Sequence, residues 1–360
     1  MATRTMMREV LNERLARFLA APGRFGVFGT GAGGGAVADA LAREGIKPHL
    51  FIDSYRTGEF RGVPMIGPEE AVEIGLEAVV TASMYAREMT AQLRGDGFEG
   101  PVIDLTVAHQ PRWSSHYDEP GIEEAAEAIA FARSLLQDDG SREVFDGALA
   151  HRRSLDPGDL PPPTPPYRHP AVPVADGECI LDVGAFDGET ALEYAETVGP
   201  HGHVHAFEPA AENLAALEAA LAAHPLAARV TAHPLGAWKT SGELAIQTEG
   251  SVPSQFQVGR DGDQRIRVVA LDDFVRDVCG GRVDWIKLDV EGAEHEALAG
   301  ARGLLAERPP KLAVCIYHRP HDLWELPILL KEAVPGYRLH LGHHSQNLYD
   351  TVCYALPPGA

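Results

Sequence analysis

The sequence predicts two α/β domains in tandem. The second is built on a doubly wound, mostly parallel sheet with an antiparallel edge strand, and the first is a smaller parallel α/β domain. Three observations carry this expectation. Strand-like apolar runs alternate with helix-period segments through both halves of the 360 residues, and repeated strand–helix units bury both faces of a parallel sheet. Each half opens on a glycine-rich turn between a strand and a helix, FGTGAGGG at 28–35 and ILDVGAFDGET at 180–190. Between them lies DPGDLPPPTPPYRHPAVP at 156–173, whose prolines remove backbone donors and hold the chain extended.

In chain order, MATRTMMREVLNERLARFLA reads as an amphipathic helix cut by Arg and Glu, not as a signal peptide. RFGVFG, AVADALAREG and KPHLFID then make a βαβ opening, and EAVVTAS and GPVIDLT add two strands. This bounds a first domain at 1–110. Residues 121–153 read as helical, with Ile122, Ala126, Ile129, Ala130 and Phe131 near one face, and with the proline-rich stretch they form a linker over 111–173. The second domain, 174–360, runs through ECILDVG, HVHAFEP, RVTAHPLGAW, DWIKLDV and KLAVCIYH with helices between them. It closes on YRLHLGHH and DTVCYAL, which are near enough in sequence to pair antiparallel at one edge.

Composition narrows the partners. A formal net charge of −21 repels a phosphate backbone, and no basic run offsets it, which argues against nucleic acid. Cys179, Cys279, Cys315 and Cys353 form no CxxC pair, which argues against a structural zinc or a disulfide framework and for a reducing, cytoplasmic setting. No apolar stretch approaches the roughly 20 residues of a membrane span.

In the second glycine loop the strand ends at Asp182, and Gly184 and Gly188 let the backbone turn and pass close to a ligand, with Ala185 between them. Asp182, Asp187 and Glu189 crowd the loop with negative charge, which disfavours a pyrophosphate and favours a cationic ligand. Glu208, at the end of the next strand, is placed to accept ribose hydroxyls. Acid, glycine loop and ribose acid together describe a pocket for S-adenosylmethionine. Further on, Lys287, Asp289 and Glu291 end a central strand and His318 ends the following one, facing the same crevice.

With these motifs in place the chain resembles the FkbM family of S-adenosylmethionine-dependent methyltransferases. DVGAFDGET corresponds to the cofactor loop, AFEP to the ribose strand, VVALDDFV to a linking segment and IKLDVEGAE to the most distinctive stretch. The resemblance covers roughly residues 178–356. It implies a class I methyltransferase fold and methylation of a hydroxyl oxygen on a sugar, a glycan precursor or a natural product. Asp182, Gly184, Ala185, Asp187, Glu208 and Asp289 are the expected cofactor residues.

An alcohol acceptor must lose a proton. His318 is the expected base, with Asp289 and Glu291 beside it, because a neutral imidazole works near pH 7. The alternative is a divalent metal held by Asp289, Glu291, His318 and His343 or His344; the base alone is favoured, since a metal needs at least three converging ligands. Lys287 pairing with Asp289 as a strut, and Tyr317 and Trp324 as packing aromatics, are the plainer readings of those residues.

The first loop matches GxGxxG through Gly29, Gly31 and Gly34, with Asp53 about 20 residues on, as in a dinucleotide fingerprint. The domain lacks a second mononucleotide half. It looks like small Rossmann-type domains found beside sugar-modifying enzymes, with GVPMIGPEEA as the shared segment. That likeness implies either a nucleotide-sugar or carrier site or a packing role that leaves room for a homo-oligomer. A competing reading of the whole chain is a nucleotide-sugar-binding module with a non-catalytic methyltransferase scaffold.

Overall fold

The computed structural model describes residues 10–247, 257–258 and 264–359. The chain divides into two compact units. The first comprises Met1–Ala130, Asp139–Thr164 and His343–Thr351, and the second Phe131–Asp138, Pro165–Gly342 and Val352–Ala360. Residues 111–173 are thus shared out between the units. Of the expected helical face at 121–153, Ile122 and Ile129 are buried, whereas Ala126, Ala130 and Phe131 are exposed. Three shorter helices replace one continuous one, Glu119–Glu124, Ala126–Ser134 and Asp139–Ser154, so a single helical periodicity does not run through the segment.

Residues 1–9, the first part of the expected leading helix, lie outside the described residues. The helix is seen from Glu13 to Ala20, capped by Asn12, whose side-chain oxygen accepts the Leu15 N–H at 3.0 Å. The first unit's sheet follows: β1 (Phe25–Phe28), β2 (Leu50–Ile52), β3 (Gly58–Phe60), β4 (Val63–Ile66), β5 (Ala78–Thr81) and β6 (Val102–Asp104), in the order β3-β4-β2-β1-β5-β6. Only the β3–β4 pair is antiparallel. GVPMIGPEEA, read as a turn segment, supplies β4 and the helix Pro68–Glu73.

The second unit carries β7 (Cys179–Val183), β8 (His203–Phe207), β9 (Val230–His233), β10 (Gly236–Ala237), β11 (Gly242–Gln247), β12 (Gln257–Val258), β13 (Gln264–Val269), β14 (Trp285–Leu288), β15 (Lys311–Cys315), β16 (Arg338–His343) and β17 (Thr351–Leu356). Its main sheet runs β16-β17-β15-β14-β7-β8-β9. The pairs from β15 to β9 are parallel, and β17 lies antiparallel to β15. The last two strands are neighbours at one edge, as expected, with β16 outermost. β10 to β13 form a separate four-stranded sheet.

Parallel strands bring their carboxyl ends to one edge of the sheet. β7 ends before Gly184, β8 before Glu208, β14 before Asp289 and β15 three residues before His318. The stretch EGAEHEALAGARGLLAE forms two short helices, Glu294–Ala299 and Arg302–Glu307. The break falls at Gly300, where a Cβ would stand 2.2 Å from the Trp238 carbonyl oxygen.

Candidate active site at the strand ends

The second glycine loop is shaped by backbone contacts. Gly184 has φ +87°, and a Cβ there would lie 1.8 Å from the Asp289 carbonyl oxygen, so only glycine lets β7 turn beside β14. The N–H groups of Gly184 and Ala185 both donate to the Phe207 carbonyl, at 3.1 and 2.9 Å, locking the loop onto the end of β8. Phe186 also has positive φ, +50°, and its ring is exposed.

Of the acids expected to crowd this loop, Asp187 and Glu189 are exposed, whereas Asp182 is withdrawn into the core. Asp182 is fully buried, and its Oδ1 accepts from Lys287 Nζ at 2.9 Å. Strand register dictates this, because Lys287 on β14 stands opposite Asp182 on β7. Lys287 Nζ also donates to the Gly184 carbonyl at 2.7 Å, whereas Asp289 Oδ2 is 3.9 Å away. Lys287 is thus a strut, but for Asp182 and the loop more than for Asp289. Burial opposes its charge, yet Asp182 and Asp289 outweigh burial and keep its pKa raised. Asp187 is exposed, and its Oδ1 accepts the Glu189 N–H at 3.3 Å where the helix Glu189–Thr197 starts.

Glu208 is buried, with Oε2 accepting from Phe186 N–H at 3.1 Å and Oε1 from Ala210 N–H at 2.9 Å. Burial pushes its pKa up to about 7 against the pull of these donors and of the Asn213 side chain. A carboxylate offers about four lone-pair sites, so three donors leave one direction for a ligand hydroxyl.

Asp289, Glu291 and His318 converge: one ligand atom of each lies within 4.8 Å of the others. His318 Nε2 is 3.4 Å from Asp289 Oδ1 and 3.7 Å from Glu291 Oε1. Its Nδ1 lies 2.7 Å from Glu294 Oε1, which also accepts the Val290 N–H at 3.0 Å. Burial works against a charged His318, but Glu294 and Glu291 outweigh it and hold the pKa well above the ordinary value. These carboxylates favour the charged form of the imidazole, so a base at this position must first give up a proton. Glu291 sits at φ +55° ahead of Gly292 at +95°; this left-handed turn aims its carboxylate back toward His318. Asp289 has a lowered pKa: burial raises it, and Lys287, His318 and the Tyr167 hydroxyl outweigh that.

Sequence reasoning missed two residues here. Glu294 closes the IKLDVEGAE stretch and orients His318 from a fully buried position. Tyr167, assigned to the linker, donates its hydroxyl to Asp289 Oδ2 at 2.7 Å and lays its ring 4.9 Å from Lys287 Nζ. The available signals were the final Glu of the motif and a lone aromatic among prolines. Tyr317 and Trp324 are buried, as packing residues are. His343 and His344 belong to the first unit, where His343 Nδ1 lies 3.0 Å from Thr351 Oγ1 and His344 Nδ1 3.0 Å from the Thr164 carbonyl.

The first glycine loop borders a cavity of about 420 Å³ whose wall includes Thr30, Gly31, Asp53, Tyr55, Arg56 and Tyr85. Asp53 is already engaged by the Thr30 hydroxyl, by the Tyr55 and Arg56 N–H groups at 3.0 and 3.1 Å, and by the Arg56 guanidinium at 3.2 Å. These donors outweigh burial and lower its pKa.

Residues 182–340 match the family described as the Methyltransferase FkbM domain. None of the curated proteins matches the chain. Among solved structures the chain is similar to methyltransferase FkbM from Methylobacillus flagellatus KT, at 24% identity and TM-score 0.66 over 98% of this chain and 92% of that one. This is a likeness of fold. Weaker likenesses are to Aeropyrum pernix fibrillarin in complex with S-adenosyl-L-methionine (16% identity, 51% and 68% of the chains, TM-score 0.34) and to an S-adenosylmethionine-dependent O-methyltransferase from Thermotoga maritima (15%, 54% and 67%, 0.32).

Proposed function

We propose that the chain, whose residues 182–340 match the FkbM methyltransferase family, is an S-adenosylmethionine-dependent methyltransferase that methylates a hydroxyl oxygen of a sugar, a glycan precursor or a natural product. The observation that carries this reading is the His318–Asp289–Glu291 cluster at the strand edge, since an alcohol must give up a proton as it is methylated. A cytoplasmic setting and a small-molecule or glycan acceptor belong to the same reading. Among the described residues no helix is long and apolar enough to cross a membrane.

The residues fit the donor. Glu208 retains a lone-pair direction for a ribose hydroxyl, and the loop at Gly184 and Ala185 is fastened beside it to the Phe207 carbonyl. When bound, S-adenosylmethionine supplies a sulfonium methyl group for in-line displacement. The protein's part is to hold the acceptor oxygen in line, exclude water and receive the proton. His318 Nε2 is the receiving atom, after it has itself lost its proton, and Glu294 fixes the ring through Nδ1.

A second reading rests on the convergence of three ligand atoms: Asp289, Glu291 and His318 would hold a divalent ion that lowers the acceptor's pKa. One assay decides both points. With labelled donor and a panel of hydroxylated acceptors, label should appear as an O-methyl ether and persist in EDTA. Label on nitrogen or carbon overturns the O-methylation. Loss of turnover in EDTA, restored by a divalent ion and seen equally in Cys179→Ser, replaces the base with the metal.

A further inference from the structure

A second cluster of metal-binding side chains lies in the same unit, and the methyl-transfer reading makes no use of it. One ligand atom from each of Cys179, His205 and Cys279 lies within 4.8 Å of the other two. Spacing along the chain hides this, because neither cysteine belongs to a CxxC pair; the sheet brings them together. Cys179 opens β7, and its register partner on β8 is His203. Side chains two apart on a strand share a face, so Cys179, His203 and His205 lie on one side of the sheet. The helix Leu271–Asp277 packs against that side, with the Phe274 ring 5.4 Å from His205, and Cys279 follows the helix directly. Both cysteines are free and half-buried.

The histidine is already oriented as a ligand would be. His205 Nδ1 lies 3.0 Å from His233 Nε2, which leaves the other ring nitrogen for a metal. A metal-bound histidine commonly donates its second ring N–H to such an acceptor, which sets tautomer and ring angle. Cys179 is fixed from behind by its N–H, which donates to Asp284 Oδ2 at 3.0 Å. Bonds of about 2.3 Å to sulfur and about 2.0 Å to nitrogen place tetrahedral ligands roughly 3.3–3.8 Å apart, so small side-chain rotations close the cluster.

We propose that Cys179, His205 and Cys279 bind a thiophilic divalent cation, zinc foremost, tying β7, β8 and the end of the helix Leu271–Asp277 together. Binding forms two metal–thiolate bonds and one metal–imidazole bond, a water molecule completes the tetrahedron, and the two thiol protons pass to solvent. Cys179 begins the strand whose opposite end leads into Gly184, so the ion is a clamp at the far end of the sheet from the methyl-transfer residues.

The test uses the full-length protein, reduced and freed of metal, titrated with Co²⁺. One equivalent should give sulfur-to-cobalt charge-transfer absorption with the intense visible bands of a tetrahedral site, and Zn²⁺ should bleach both. Cys179→Ser and Cys279→Ser should abolish the charge-transfer band, and His205→Gln should weaken binding at least tenfold. Cys315→Ser should leave the band unchanged; transfer of its loss to that variant would overturn the assignment. Asp289, Glu291 and His318 offer no sulfur, so the signal is independent of methyl transfer. If the cysteine variants do not fold, wild type and His205→Gln still discriminate: Zn²⁺ should raise the Tm of the first and do so far less in the second. Absence of a thiolate band in the reduced wild type overturns the proposal, as does a Cys179–Cys279 disulfide forming in air in a protein whose reduced form takes up no metal.

Discussion

The two glycine loops begin alike and end in different chemistry. Each follows a parallel strand, opens a helix and uses glycine where a carbonyl would strike a side chain: Gly29 O lies 1.9 Å from a Cβ on Gly34, and Asp289 O 1.8 Å from one on Gly184. Each is followed by a strand ending in an acid. Asp53, however, is taken up by Thr30 and Arg56 with its pKa lowered, whereas Glu208 keeps room for a donor with its pKa near 7. The larger difference lies in the next strands. β14 and β15 lead to Asp289, Glu291 and His318, whereas β5 and β6 lead to Ala82–Ser83 and to an Asp104 bonded to Thr106. A glycine loop is therefore a backbone device, and the neighbouring strand ends decide what it serves.

The largest expected effect separates the loops most directly. His318→Ala should lower kcat by about 10²–10⁴, the usual range for acid–base catalysis, with S-adenosylhomocysteine affinity nearly unchanged by calorimetry. The pH profile adds a sign. Glu294 and Glu291 raise the pKa of His318, so the base form gains population only above the ordinary histidine range, and kcat should still be rising beyond pH 7. A flat profile from pH 6 to 8 would remove His318 as the proton acceptor.

Next come the two glycines. Gly34→Ala should cost about 1–3 kcal/mol from overpacking against Gly29 O. Gly184→Ala should cost roughly 1–2 kcal/mol more, because the new side chain also meets a left-handed backbone at φ +87°. Denaturant melts of the two variants check this, and equal losses would mean that the second loop relaxes more freely than its packing indicates.

The smallest effect concerns Glu208. Its folded-state pKa of about 7 means that it takes up a proton as pH falls through neutrality, and only the carboxylate accepts strongly from a ribose hydroxyl. Affinity for S-adenosylhomocysteine should thus rise about tenfold from pH 6 to pH 8, and Glu208→Gln should flatten that rise. A slope that survives in Glu208→Gln would place the titrating group elsewhere.

The cofactor loop and the strand-end acids were legible because each depends on local order, a strand followed by glycine followed by a helix. The roles of individual acids were not. Asp182 looks like a loop carboxylate in sequence, but its register against Lys287 makes it a buried ion-pair partner. Tyr167 sits in a segment with no periodicity, so nothing local tied it to Asp289. The strand end of His318 is legible in the sequence, but the carboxylates around it are not, because Glu291 and Glu294 reach the ring only once the turn after β14 folds back toward it.

By itself, then, the amino-acid sequence determined most element types, the alternation that makes the six- and seven-stranded sheets mainly parallel, the placing of the last two strands side by side at one edge and the stretch matching the FkbM family. These follow from hydrophobic period and backbone chemistry, which act over a few residues. Only the tertiary structure decided that β3 and β4 extend the first sheet, that 343–351 joins the first unit, and that Cys179 meets Cys279. Those outcomes depend on register and crossover between distant segments. There the electrostatics of buried groups and the packing of whole elements act together, and no local pattern encodes them.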